Sequence, residues 1–132
     1  MGFRVRIVLA VLTGLMLPAA GMAAERSGFS KRFDDCMAAA NGVSSEENQC
    51  VAAETDASDK KLNDVYHKWL LKNPGEDGDA MRSAQRLWIK FRDANCKAIS
   101  GPLGGRMAEG AFAYCIMRMT AERATELEER LP

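Results

Sequence analysis

The side chains with most chemical potential in this sequence are four cysteines, Cys36, Cys50, Cys96 and Cys115. Cysteines can form disulfides, hold a soft metal or act as nucleophiles, and spacing separates these uses. They fall into two pairs, and each pair straddles a turn signal. Asn41-Gly42-Val43-Ser44 lies between the first two, and Ser100-Gly101-Pro102-Leu103-Gly104-Gly105 between the second two. Zinc sites use close C-x2-C pairs with accompanying histidines, and neither is present, so no metal ligand set is assigned. Four cysteines allow three connectivities. Residues equidistant from the turn of an antiparallel helical hairpin face each other, which selects Cys36–Cys50 and Cys96–Cys115. Closing loops of this size is worth roughly 3 kcal/mol each in the chain-entropy model.

A second set of residues is polar yet aligned with the cysteines. Gln85 and Arg92 share the face of Cys96, at i−11 and i−4. Glu54 follows Cys50 by four, and reflection through residue 43 sets it opposite Arg32, an expected ion pair. Asp59 lies in line with Leu62 and Tyr66 and would need Arg92 or Arg123 as a partner. Glu54, Asp59, Asn63, Tyr66, Gln85, Arg92, Thr120 and Arg123 can therefore form either a polar site or a network that fixes helix register. The second reading is favoured, because buried polar groups in small bundles satisfy one another. Arg82, Arg86 and Lys90 form a basic stripe expected to pair with Glu122, Glu126 and Glu129. His67 is the only histidine. It shares a face with Lys60 and Asp64 and has no nucleophile beside it, so it reads as a surface residue. The methionines read as core filler. No G-x-S-x-G, phosphate loop, C-x-x-C-H or H-E-x-x-H motif is present, and neither an enzyme nor a cofactor is assigned.

These residues need helices to position them. No stretch alternates with a period of two, so the expected fold is all-α: four helices arranged as two disulfide-stapled hairpins. The first helix carries Phe29, Phe33, Cys36, Met37 and Ala40 at helical spacing and ends at Asn41-Gly42. Ser44-x-x-Glu47 is a capping box for a second helix over about 45–72. Asn73-Pro74-Gly75 stops it, and residues 76–79 make an acidic loop. The third helix, about 79–99, is expected to bury Met81, Ala84, Leu87, Trp88 and Phe91. The fourth, about 107–130, is expected to bury Ala111, Tyr114, Cys115, Met119 and Leu127.

The chain has 132 residues with 18 basic and 18 acidic side chains, a one-domain length. Its first residues read as a signal peptide, residues 1–23: Arg4 and Arg6, then an apolar run from Ile7 to Leu17, then Gly21-Met22-Ala23 as the cleavage site. Residue 24 is the alternative cleavage point, and residues 24–132 form the single domain. The run is short for a bilayer span, so no permanent membrane anchor is expected. Cleavage would leave 16 basic against 18 acidic side chains, a balance that speaks against a nucleic-acid binder. Export also suits the disulfide reading and sets the expected location as periplasmic or secreted.

The string Cys50-x3-Glu54-x4-Asp59-x2-Leu62-Asn63-x2-Tyr66, then Gln85-Arg86-x-Trp88-Ile89-x-Phe91-Arg92-Asp93-x2-Cys96, Gly104-Gly105 and Cys115-x4-Thr120-x2-Arg123-x3-Leu127, resembles the exported domain family named after the lysozyme inhibitor LprI. The resemblance implies a secreted, disulfide-bonded helical domain and, for some relatives, binding and inhibition of lysozyme. The function expected on that basis is occlusion of a lysozyme-type muramidase. The alternative is an envelope interaction module with another protein partner. The candidate contact is the 100–106 loop, with Ser100, Gly101, Leu103 and Arg106 beside a disulfide. The acidic loop at 76–79 could instead meet a basic muramidase surface.

Overall fold

The computed structural model describes residues 28–131; the signal-peptide reading falls on residues 1–23, outside them. The architecture is all-α as expected. Four helices follow in order: α1 Lys31–Ala40, α2 Ser44–Lys72, α3 Glu76–Ser100 and α4 Gly105–Glu129, with one turn of 3-10 helix, Gly101–Leu103, between the last two. No strand occurs among the described residues.

Local chemistry sets most of the ends. The Ser30 hydroxyl caps α1 by accepting from the Phe33 N–H, and Asn41 closes the helix in the left-handed region at φ 46°. Phe29 therefore precedes the helix and packs on Phe33 from outside it, with ring centroids 5.1 Å apart. The expected capping box does not form. Ser44 is the first residue of α2, Val43 holds the cap position without a side-chain bond, and the amides of Glu46 and Glu47 bond the Val43 carbonyl. Glu46 and Glu47 still face the positive end of the helix. The acidic loop is also absent. Glu76, Asp77 and Asp79 form the first turn of α3, where the helix dipole favours carboxylates.

Both stapled hairpins are present. Cys36–Cys50 and Cys96–Cys115 are bonded, with Cα–Cα distances of 5.7 and 5.5 Å. The hairpins are joined along one arm of each. Gly110 sits beside Asn48 and Glu128 pairs with Lys61, so α2 and α4 run parallel and side by side. Helix α3 returns antiparallel on α4, while α2 and α3 make few contacts of their own. Helix α4 is thus the central element. Two apolar clusters lie along it. Phe33, Ala40, Cys50, Val51 and Met117 form one, and Leu62, Val65, Ala124 and Leu127 the other.

Of the five residues expected to be inward on α3, two are. Met81 and Trp88 pack inward, but Ala84 is exposed and Leu87 and Phe91 are 67% and 60% exposed. Cys96, Arg92 and Gln85 fix which side of α3 meets α4. At 100° per residue, Leu87 and Phe91 point well away from that line. Tyr114 on α4 is likewise exposed, its ring edge-on to Phe29 at 6.0 Å.

Candidate functional site

The eight polar residues separate into four places. At the α1–α2 seam the Glu54 carboxylate accepts from the Ser30 backbone N–H at 2.8 Å and from its hydroxyl at 2.5 Å. Arg32 is not its partner. A buried carboxylate needs donors, and the free N-terminal end of a ten-residue helix supplies a backbone one.

At the α3–α4 seam Arg92 and Arg123 flank Trp88 and bond Thr120 and Gln85 respectively. Arg92 donates to the Thr120 hydroxyl at 3.2 Å, and Thr120 in turn donates to the Ile116 carbonyl at 2.7 Å. Arg123 donates through Nε to Gln85 at 3.1 Å and through Nη1 to Glu126 at 2.7 Å. The two guanidinium carbons lie 5.2 and 5.9 Å from the Trp88 ring centroid, so one indole serves two cations. Both arginine side chains are largely buried. Each has a carboxylate beside it: Asp93 for Arg92 and Glu126 for Arg123. Among the described residues no buried side-chain nitrogen or oxygen lacks a hydrogen-bond partner. The Arg92–Thr120 and Arg123–Gln85 bonds cross from α3 to α4 and so fix the register of the two helices, while the flanking carboxylates of Asp93 and Glu126 stay partly exposed.

Asp59 and Asn63 stay on the exposed face of α2 and bond each other at 3.2 Å. The buried line of α2 runs through Glu54, Ser58, Leu62 and Val65, one residue out of phase with Asp59. Neither Arg92 nor Arg123 reaches it. Tyr66 is half-buried against the Leu62–Leu127 cluster, and His67 is exposed. The expected inter-helix pairs of the basic stripe are replaced by bonds within helices. Arg82 pairs with Asp79, Arg86 donates to Ser83, and Glu122 pairs with Arg118.

The 100–106 segment forms the tip of the second hairpin. Ser100 closes α3 and is buried, its hydroxyl 3.5 Å from the Lys97 carbonyl. Gly104 and Gly105 have φ of +70° and +49°, values that a glycine adopts freely. Arg106 falls within the first turn of α4. Leu103 and Arg106 are exposed. Because α2 and α4 are parallel, this tip stands beside the start of α2. A cleft of about 600 Å³ lies there, lined by Ser44, Asn48, Arg106 and Glu109 among others. Met119 places its sulfur 3.6 and 4.0 Å from the two sulfurs of the nearby disulfide. Among the described residues no group of three or more His, Cys, Asp or Glu side chains is placed to hold a metal ion.

Fold and seams define a small disulfide-stapled helical domain whose buried polar residues tie its own helices together. The family of lysozyme inhibitor LprI has a model that matches residues 36–127, and the chain belongs to that family. An uncharacterized protein of Rhizobium meliloti (strain 1021) is 31% identical over 80 residues, covering 60% of this chain and 54% of the relative. The chain therefore spans about half the length of that curated relative. No solved structure matches it. Among the described residues no helix is long and apolar enough to cross a membrane.

Proposed function

We propose that this protein is an exported binding protein, not an enzyme, that blocks a lysozyme-type muramidase by occluding its substrate cleft. The family match over residues 36–127 carries the reading. The geometry supports it in two ways. The buried polar groups are spent on one another, as suits a rigid binder. The exposed tip with Leu103 and Arg106 is held between a disulfide and the start of α4, and rigidity lowers the ordering cost of binding. Cleavage after residue 23 and release into the periplasm complete the proposal, since lysozyme-type enzymes act on the wall outside the cytoplasm.

Purified, disulfide-intact chain 24–132 tested against several muramidase types decides the matter. The expected result is saturable loss of lytic activity together with co-purification of at least one muramidase. No loss of activity and no binding across the panel would reject it.

A further inference from the structure

Helix α3 has a second face that its own fold leaves uncovered. Ala80, Ala84, Leu87, Phe91, Ala94 and Ala98 recur at spacings of four and three, and all six are exposed. Inward-facing Met81, Gln85, Trp88, Arg92 and Cys96 occupy the other side of the helix. The free strip is about 27 Å long at 1.5 Å per residue. Apolar side chains at this spacing, with the two large ones, Leu87 and Phe91, at the centre, are what an amphipathic helix uses to seat in a groove.

Charge decides what the groove carries. One edge of the strip presents Arg86, Lys90 and Lys97. None of the three has an ion pair among the described residues, while the neighbouring Asp79 and Asp93 are taken by Arg82 and Arg92. Along its middle and C-terminal part the apolar strip is thus bordered by a cationic edge without ion partners, while Glu76 and Asp77, exposed and also outside any ion pair among the described residues, lie at its N-terminal end. The strip is nearly symmetric about residue 89, which would suit antiparallel pairing with a second copy. Such a pair would set Lys90 against Lys90 and bring two cationic edges together, which opposes it. The complementary occupant is a long groove with carboxylates among apolar walls. A lysozyme-type cleft has this chemistry, with one acid in an apolar pocket and a second carboxylate across the scissile bond.

We infer that the outer face of α3 is the surface that enters the muramidase cleft, with Leu87 and Phe91 as apolar anchors and Lys90 beside the cleft carboxylates. The inference rests on the function proposed above and assigns the face that performs it. The tip at Leu103 and Arg106 then lies at the margin of the contact.

The test compares inhibition constants of disulfide-intact chain 24–132 and its variants on a muramidase that the unmodified chain inhibits. Leu87→Glu and Phe91→Glu should each weaken inhibition by about 30-fold or more, as central anchors do, and Arg106→Glu by less than about threefold. Lys90→Glu should slow association, and inhibition by the unmodified chain should weaken as salt rises. Phe91→Leu should restore most of the inhibition, and unchanged circular dichroism and melting temperature should show that the exposed substitutions leave the fold intact. If the unmodified chain inhibits and Leu87→Glu and Phe91→Glu inhibit equally well, the face is wrong while the function stands. If the unmodified chain inhibits no muramidase, function and face both fall. A dimer that these two substitutions dissociate without changing inhibition gives the face to a second copy and overturns the inference.

Discussion

Single residues at the seams decide how this small domain holds its register. Glu54 is 7% exposed and is satisfied by two donors from Ser30, which also caps α1. Glu54→Ala removes the acceptor that anchors the start of α1 and should lower stability by about 1–2 kcal/mol, read by chemical denaturation. Conversely, Asp59→Ala should change stability by less than about 0.5 kcal/mol, because Asp59 bonds only an exposed Asn63. The phase of Cys96 made Gln85 and Arg92 legible as seam residues from the sequence alone. The partner of Glu54 was not legible. Reflection across a turn pairs side chains, and the true partner is a backbone amide together with a hydroxyl at a helix start.

At the scale of elements, α3 shows what sequence spacing resolves and what it leaves ambiguous. Two stripes on this helix are apolar enough to be buried. Only one can face α4, and the disulfide chooses it. The five residues Met81, Ala84, Leu87, Trp88 and Phe91 come from both stripes, and a single straight helix cannot bury both against α4. The helix also begins earlier than its glycine and acidic residues suggested. Gly78 is buried in its first turn, and a Cβ there would lie 2.9 Å from the Asn73 carbonyl oxygen and 3.3 Å from Arg82 Nη1. Helix propensity alone would make Gly78→Ala stabilising by roughly 0.5–1 kcal/mol. The approach to a backbone oxygen outweighs that gain, since overpacking costs typically about 1–3 kcal/mol. A net loss of stability and a lower melting temperature are the expected outcome, checked by calorimetry. Helix α1 tests the other staple. At ten residues it is too short to persist alone in water. Replacing Cys36 and Cys50 with serine should raise amide exchange across 31–40 far more than across α2 and α4, and cost about 3 kcal/mol.

For the molecule as a whole, the question is whether two stapled hairpins unfold as two units or as one. Each hairpin has its own disulfide, and that symmetry, legible in the sequence, argues for independence. The packing argues otherwise. The main interface joins α2 of the first hairpin to α4 of the second, and both apolar clusters contain residues from both hairpins: Val51 with Met117, and Leu62 and Val65 with Ala124 and Leu127. This pairing was not legible, because the apolar side chains of α4 serve neighbours on two sides and so show no single stripe. Neither hairpin keeps its core if the other leaves, so the disulfide-intact domain should unfold in one cooperative transition, with far- and near-ultraviolet circular dichroism coinciding. Leu127 is fully buried at the centre of the second cluster. Leu127→Ala should cost about 2–5 kcal/mol and lower the melting temperature by about 8 °C or more, while the transition stays single. Two resolved transitions in that variant, with the first hairpin melting at an unchanged temperature, would show that the hairpins are separate units and that the α2–α4 interface is not what holds the molecule together.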